Sequence, residues 1–203
     1  MAKFGRNVVD LSRSEVAEVH EPFNSHRGAS STMPQKVNPI SSELMIGFSV
    51  VAGALASSLP RIQESGHERA AGEWQGEWLI IPTIGNLVGG ALDEAIVVAE
   101  GMRVNPERMR DNLNFDGGMI MAEAQMIQLA PAMGREKAHD LVYEACERAR
   151  EKNTTLHAEL PVIAHEHGVS ELMPEQFVDP ADYVGEAHQM VETAVARWHE
   201  MGA

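Results

Sequence analysis

The chain has 203 residues, 44% apolar and 23% charged, which is globular usage and excludes a disordered chain. Its formal net charge of −14 repels nucleic acid and anionic membranes, so neither is an expected partner, and a site for a small anion has to be locally basic. The single cysteine, Cys146, excludes an intrachain disulfide and fits a reducing, cytoplasmic setting. The opening MAKFGRNVVDLSRSE has no signal-peptide core. No uncharged apolar run reaches about 18 residues, so no membrane span is expected.

In chain order, Phe4, Val8 and Leu11 predict a helix over residues 3–20 that starts without a cap. An irregular stretch follows, from about 21 to 38. Asn38-Pro39 then predicts a helix start, with Asn38 as N-cap and Pro39 in the first helical position. Ile40, Leu44, Phe48, Val51, Leu55, Leu59 and Ile62 recur at spacings of 4 and 3, a seam suited to near-parallel helix packing. Gly47, Ala52, Gly53, Ala54 and Ala56 are expected to let neighbouring helices approach closely. Ile80, Ile84, Leu87, Ala91, Ala95, Val98 and Met102 form a second seam, and the two predict antiparallel rods joined by residues 65–78.

Asn105-Pro106 repeats the cap-and-proline start for a shorter helix. Beyond it the helices become shorter and more charged, at about 118–130, 135–152, 155–167 and 180–200. Pro161 predicts a break in its segment. Asp179-Pro180 is read as the cap of the last helix, whose face is Tyr183, Ala187, Met190, Ala194 and Trp198. No strand pattern survives. The expected fold is all-α: a long-helix bundle over residues 1–104 and a small helical domain over 105–203.

The stretch HRGASSTMPQKVNPISSE, residues 26–43, sits between these helices without a period of its own. A serine hydroxyl is a weak base unless its alkoxide is stabilised. Backbone N–H groups of small residues and the N-terminus of the following helix both favour negative charge. Lys36 adds a cation and Asn38 a neutral donor, so the stretch reads as a carboxylate clamp with a hydroxyl beside it. A surface loop of Ser and Gly has the same composition.

The order of residues in SSTMPQKVNP resembles the signature loop of the fumarase/aspartase superfamily, Gly-Ser-Ser-x-Met-Pro-x-Lys-x-Asn-Pro; Ala29 stands where that family has Gly. The loop is taken as residues 28–39. The resemblance implies that Ser30 is the base that removes a proton from the carbon beside a carboxylate. It implies that Ser31, Met33, Lys36 and Asn38 bind substrate, and that Glu43 pairs with a catalytic histidine from another segment. The segment ESGHERAAGEWQGEW, residues 64–78, resembles the bacterial 3-carboxy-cis,cis-muconate cycloisomerase branch, and DPADYVG resembles the adenylosuccinate lyase C-terminal domain. The implied chemistry is acid–base catalysis on a polycarboxylate without metal or redox cofactor, with loop N–H groups, Lys36 and Asn38 stabilising the dianion and loop closure excluding water.

The resemblance further implies a homotetramer of subunits about twice this length, with three signature regions from three subunits in each site. Only the third region is present, so the expectation is a C-terminal fragment, a split-enzyme half that needs an N-terminal complement, or a degenerate relative. Alone, the chain is expected to be inactive. Two other readings remain open: an adenylosuccinate-type or other substituted-succinate lyase, and a non-catalytic helical oligomerisation module.

Several residues have plainer readings. His67, Glu68 and Arg69 are expected in helix-end ion pairs, Trp74 and Trp78 as packing anchors, and His20 and His26 as solvated loop histidines. His165 and His167 are too close in sequence for a helical zinc pair. Cys146 is read as inert packing, the methionines as core filler, and Gly117-Gly118 as a loop between helices.

Overall fold

The computed structural model describes residues 1–22, 37–64, 66–68 and 71–202. Helices dominate, in two compact units, Met1–Met109 and Arg110–Ala203. The first contains helix α1 (Ala2–Leu11), strand β1 (Val19–His20), helices α2 (Ile40–Ala56), α3 (Leu59–Ile62) and α4 (Glu77–Gly101), and strand β2 (Arg103–Val104). Helix α5 (Pro106–Leu113) spans the division. The second unit contains α6 (Ala122–Met133), α7 (Arg135–Lys152), α8 (Leu156–Glu166) and α9 (Ala187–Glu200).

In the first unit α2 packs against both α1 and α4. Two glycines set these crossings. A Cβ on Gly5 would lie 2.7 Å from the Ser42 carbonyl oxygen, and one on Gly90 would lie 3.1 Å from the Phe48 ring. The expected role of Gly47 and Gly53 is not found among the described residues, where a Cβ on either would meet nothing within 4 Å. Val8, Met45 and Val98 form a small buried cluster. Much else stays exposed: Val51 and Leu92 at 49%, Ile96 at 53% and Leu79 at 74%. Ile40–Ile62 and Trp74–Gly101 are each long and apolar enough to cross a membrane by length and composition, a property that counting uncharged runs did not reveal.

Three local expectations are corrected here. The first helix ends at Leu11 rather than near residue 20. Arg108 explains this: its guanidinium donates to the carbonyls of Glu15 and Val16 and holds 13–18 as a turn, while Val19 is buried in an antiparallel ladder with Val104. That ladder is the short strand pair the sequence did not predict. The seam over 40–62 is interrupted at Ser57 and Ser58, whose hydroxyls donate to the carbonyls of Ala54 and Leu55 and compete with continued helix. Asn38 is not the cap of α2. Pro39, at φ −80° and ψ 64°, is the centre of an inverse γ-turn in which Ile40 N donates to Asn38 O at 2.9 Å, and the helix starts one residue later.

The second unit has a core of its own. Leu129, Ala138, Leu141, Val142, Ala145, Leu156, Leu160, Ile163 and Ala164 are buried together, on α6, α7 and α8. Cys146 joins them as expected, and burial pushes its thiol pKa up. Gly117 and Gly118 both have positive φ, and a Cβ on Gly117 would lie 2.8 Å from Thr154 O, so only glycine fits against the α7–α8 junction. Helix α8 runs through Pro161 without the expected break, because buried Leu156, Leu160, Ile163 and Ala164 hold it on both sides. Asp179 caps only the short turn Pro180–Asp182; Gly185, at φ 58°, separates that turn from α9. Helix α9 has no buried residue, and Met190 and Met201 are exposed, so they are not core filler.

Asn105 behaves as predicted: its side-chain oxygen accepts from Arg108 N at 3.1 Å, and Pro106 opens α5. Trp74 and Trp78 pack edge to face with centroids 5.1 Å apart, although Trp78 remains 60% exposed.

Candidate active site

The signature stretch leaves the described chain after Pro22 and re-enters it at Val37. Both roots are anchored. Glu21 is buried, and its carboxylate accepts from Ser42 N at 2.6 Å and Ser41 N at 3.1 Å, two of the otherwise orphaned N–H groups at the start of α2. Pro22 lies so close to Gly101 that a Cβ there would be 2.7 Å from the proline ring. Strand β1, just before them, is paired to β2.

Glu21 corrects one expectation about the chemistry. By sequence the N-terminus of α2 is expected to favour an alkoxide or a substrate carboxylate, but an internal carboxylate already occupies the Ser41 and Ser42 N–H groups. Those two N–H groups are therefore not open to a second anion. Sequence spacing could not reveal this role, since the donors lie 20 and 21 residues away.

A cleft of about 720 Å³ opens beside these roots, lined by Asn38, Pro39, Glu43, His20, Arg103 and the turn after α1. Of the predicted site residues, Asn38 and Glu43 line it together. Asn38 is half-buried and Glu43 exposed. Ser30, Ser31, Met33 and Lys36 lie outside the described residues, as do His26 and Arg69. His20, read as a solvated loop residue, is half-buried in β1 and faces the cleft, because the ladder places it directly opposite Arg103. Arg13 lines the cleft too, 3.1 Å from Asp10. The described wall of the cleft thus carries two guanidinium groups, Arg13 and Arg103, beside the carboxylate of Glu43, in a chain of net charge −14.

Elsewhere, His67 and Glu68 are exposed. His167 Nε2 lies 2.8 Å from Glu144 Oε2 and so belongs to a surface network in which Arg148 bridges Glu144 and Glu166. Among the described residues no group of three or more His, Cys, Asp or Glu could hold a metal ion.

Comparison with known proteins places these features. Residues 1–53 match the family described as Lyase, and residues 118–194 match the adenylosuccinate lyase C-terminus. The chain belongs to the fumarase/aspartase superfamily of lyases and cycloisomerases. It is 42% identical to 3-carboxy-cis,cis-muconate cycloisomerase of Pseudomonas aeruginosa, over all of this chain and 44% of that protein. It is 36% identical to trans-aconitate decarboxylase 1 of Mycosarcoma maydis, over 97% of this chain and 40% of that one. The crystal structure of 3-carboxy-cis,cis-muconate lactonizing enzyme from Pseudomonas putida superposes with a TM-score of 0.85 at 40% identity, covering all of this chain and 45% of that one. The chain therefore spans less than half the length of the curated relatives it matches, and its two apolar helices lie within the superposed fold.

Proposed function

We propose that this chain supplies the signature-loop part of a lyase or cycloisomerase site that acts on a small polycarboxylate, with 3-carboxy-cis,cis-muconate as the substrate. The observation that carries the reading is the 42% identity to a cycloisomerase through the whole chain, signature stretch included. The cleft that brings Asn38 and Glu43 together beside Arg103 supports it.

In this reading Ser30, as its alkoxide, takes the proton from the carbon beside a substrate carboxylate. The electron pair of that C–H bond moves onto the carboxylate, and Lys36, Asn38 and backbone N–H groups stabilise the resulting dianion. Breaking the adjacent C–O bond then forms the C=C bond, and the reverse sequence closes a lactone. Ser31 and Met33 contact substrate. Glu43 orients a histidine contributed by another segment of the assembly. No step needs a cofactor.

The working form is a homotetramer in the cytoplasm, or a complex with an N-terminal complement. Residues 1–104 lie in its central bundle and 105–203 form its C-terminal domain. The exposed apolar faces of α2 and α4 support this, since a helix apolar all round belongs inside a larger bundle. Other subunits, rather than lipid, cover them. The decisive experiment assays residues 1–203 alone and with an N-terminal complement: turnover is expected only in the second case. There, Ser30→Ala is expected to lower kcat at least a thousandfold; retained turnover would leave a non-catalytic oligomerisation module.

The match of residues 118–194 to the adenylosuccinate lyase C-terminus supports a second reading, a lyase for adenylosuccinate or another substituted succinate. Assaying 3-carboxymuconate beside adenylosuccinate separates the two.

A further inference from the structure

A tricarboxylate substrate carries more negative charge than one lysine and one asparagine can hold, and the N-terminus of α2 is already filled by Glu21. A substrate carboxylate remote from the reacting carbon therefore calls for a further cation or hydrogen-bond donor in the cleft. Two side chains are placed for it. Val19 and Val104 form one pair of the β1–β2 ladder, and His20 and Arg103 form the next. Residues directly opposite in a ladder project to the same face with Cβ atoms about 5 Å apart. Here that face is the cleft wall: His20 and Arg103 both line it, together with Asn38 and Glu43.

Their surroundings leave Arg103 available. Arg13, the other guanidinium of the cleft, is paired with Asp10. Arg108 is spent on the carbonyls of Glu15 and Val16. Arg103 makes no ion pair among the described residues. Its backbone is nevertheless held, by the ladder to His20 and by Asn105 N donating to Glu18 O at 2.8 Å. A guanidinium on an anchored backbone, with no ion-pair partner among the described residues, is suited to a bidentate grip on a carboxylate. A ring N–H of His20 adds a donor from across the ladder.

We propose that Arg103 and His20 form a carboxylate-binding pair that grips the substrate carboxylate farthest from the reacting carbon, and so selects tricarboxylates over dicarboxylates. The proposal rests on the polycarboxylate reading above and extends it to two residues outside the signature stretch. The pair determines specificity and takes no part in proton transfer. Glu43, on the same wall, repels a carboxylate that strays to its side.

Isothermal calorimetry on residues 1–203 assembled with the N-terminal complement tests this with tricarballylate and succinate as probes. The wild type is expected to bind tricarballylate at least tenfold more tightly than succinate. Arg103→Gln is expected to abolish that preference and His20→Asn to reduce it at least threefold. Arg61→Gln, an exposed arginine paired with Glu64 away from the cleft, is expected to preserve it. Circular dichroism confirms that each variant is folded. Equal affinity of the wild type for the two acids, absence of tricarballylate binding at millimolar concentration, or an Arg103→Gln protein with an intact preference would each overturn the proposal. The two readings fail separately. Loss of the preference removes the pair and leaves Ser30 chemistry standing. An active Ser30→Ala assembly removes that chemistry and leaves the calorimetric preference standing.

Discussion

The two units of the chain bury apolar surface in different ways. In residues 110–203 the helices α6, α7 and α8 enclose their own core, with Leu156, Leu160, Ile163 and Ala164 fully buried. In residues 1–109 the helices α2 and α4 are apolar, yet among the described residues only Val8, Met45 and Val98 form a buried hydrophobic cluster, and Val51, Leu79, Leu92 and Ile96 stay exposed. A helix pair that is apolar on every side cannot bury itself in one copy. The second unit encloses a core of its own, while the first leaves apolar surface uncovered in a single copy, which is what the proposed assembly with other chains would cover. The candidate site lies on the unit with that uncovered surface.

The strongest test of that contrast is Leu160→Ala. Removing a fully buried side chain is expected to cost about 2–5 kcal/mol and to unfold the second unit cooperatively in urea. A smaller loss would mean that its core is looser than its burial implies.

Next come two changes at the start of α2. Glu21→Ala strands the Ser41 and Ser42 N–H groups and is expected to cost about 1–3 kcal/mol, with faster hydrogen exchange at those two amides. Unchanged exchange would show that the carboxylate does not cap the helix. Gly5→Ala forces a methyl against the Ser42 carbonyl and is expected to cost about 1–3 kcal/mol in urea melts.

Val51→Ala sharpens the comparison from the opposite side. At 49% exposure it is expected to change the stability of a dilute, dissociated chain by less than about 0.5 kcal/mol. Sedimentation at higher concentration should then show weakened self-association, because the lost methyl groups lie on the face that other copies cover in the proposed assembly.

The smallest effect concerns pH and belongs to the second unit. Hydrogen bonds from Arg110 hold the Asp179 pKa below its usual value, aided by Ala181 N–H. Arg148 does the same for Glu166, and Lys152 with Thr154 for Glu159. A carboxylate whose folded pKa is depressed stabilises the fold above its unfolded pKa, near 4, and loses that contribution as pH falls through the folded value. Acid unfolding followed by circular dichroism should therefore begin only below about pH 4.5. Lys152→Met should move its midpoint to higher pH.

Local features were legible in the amino-acid order. The helices α4 and α7, the Asn105-Pro106 start of α5 and the paired glycines at 117–118 follow from contacts within a few residues, where apolar period, cap and backbone freedom decide the outcome. The superfamily was legible too, because its loop is a contiguous string. The tertiary structure decided the rest: where α1 stops, which group caps α2, and why His20 faces Arg103. Each of these joins residues between about 20 and 90 positions apart. No periodicity spans such a distance, so a glutamate that caps a remote helix and one that meets only water look alike until the chain has folded.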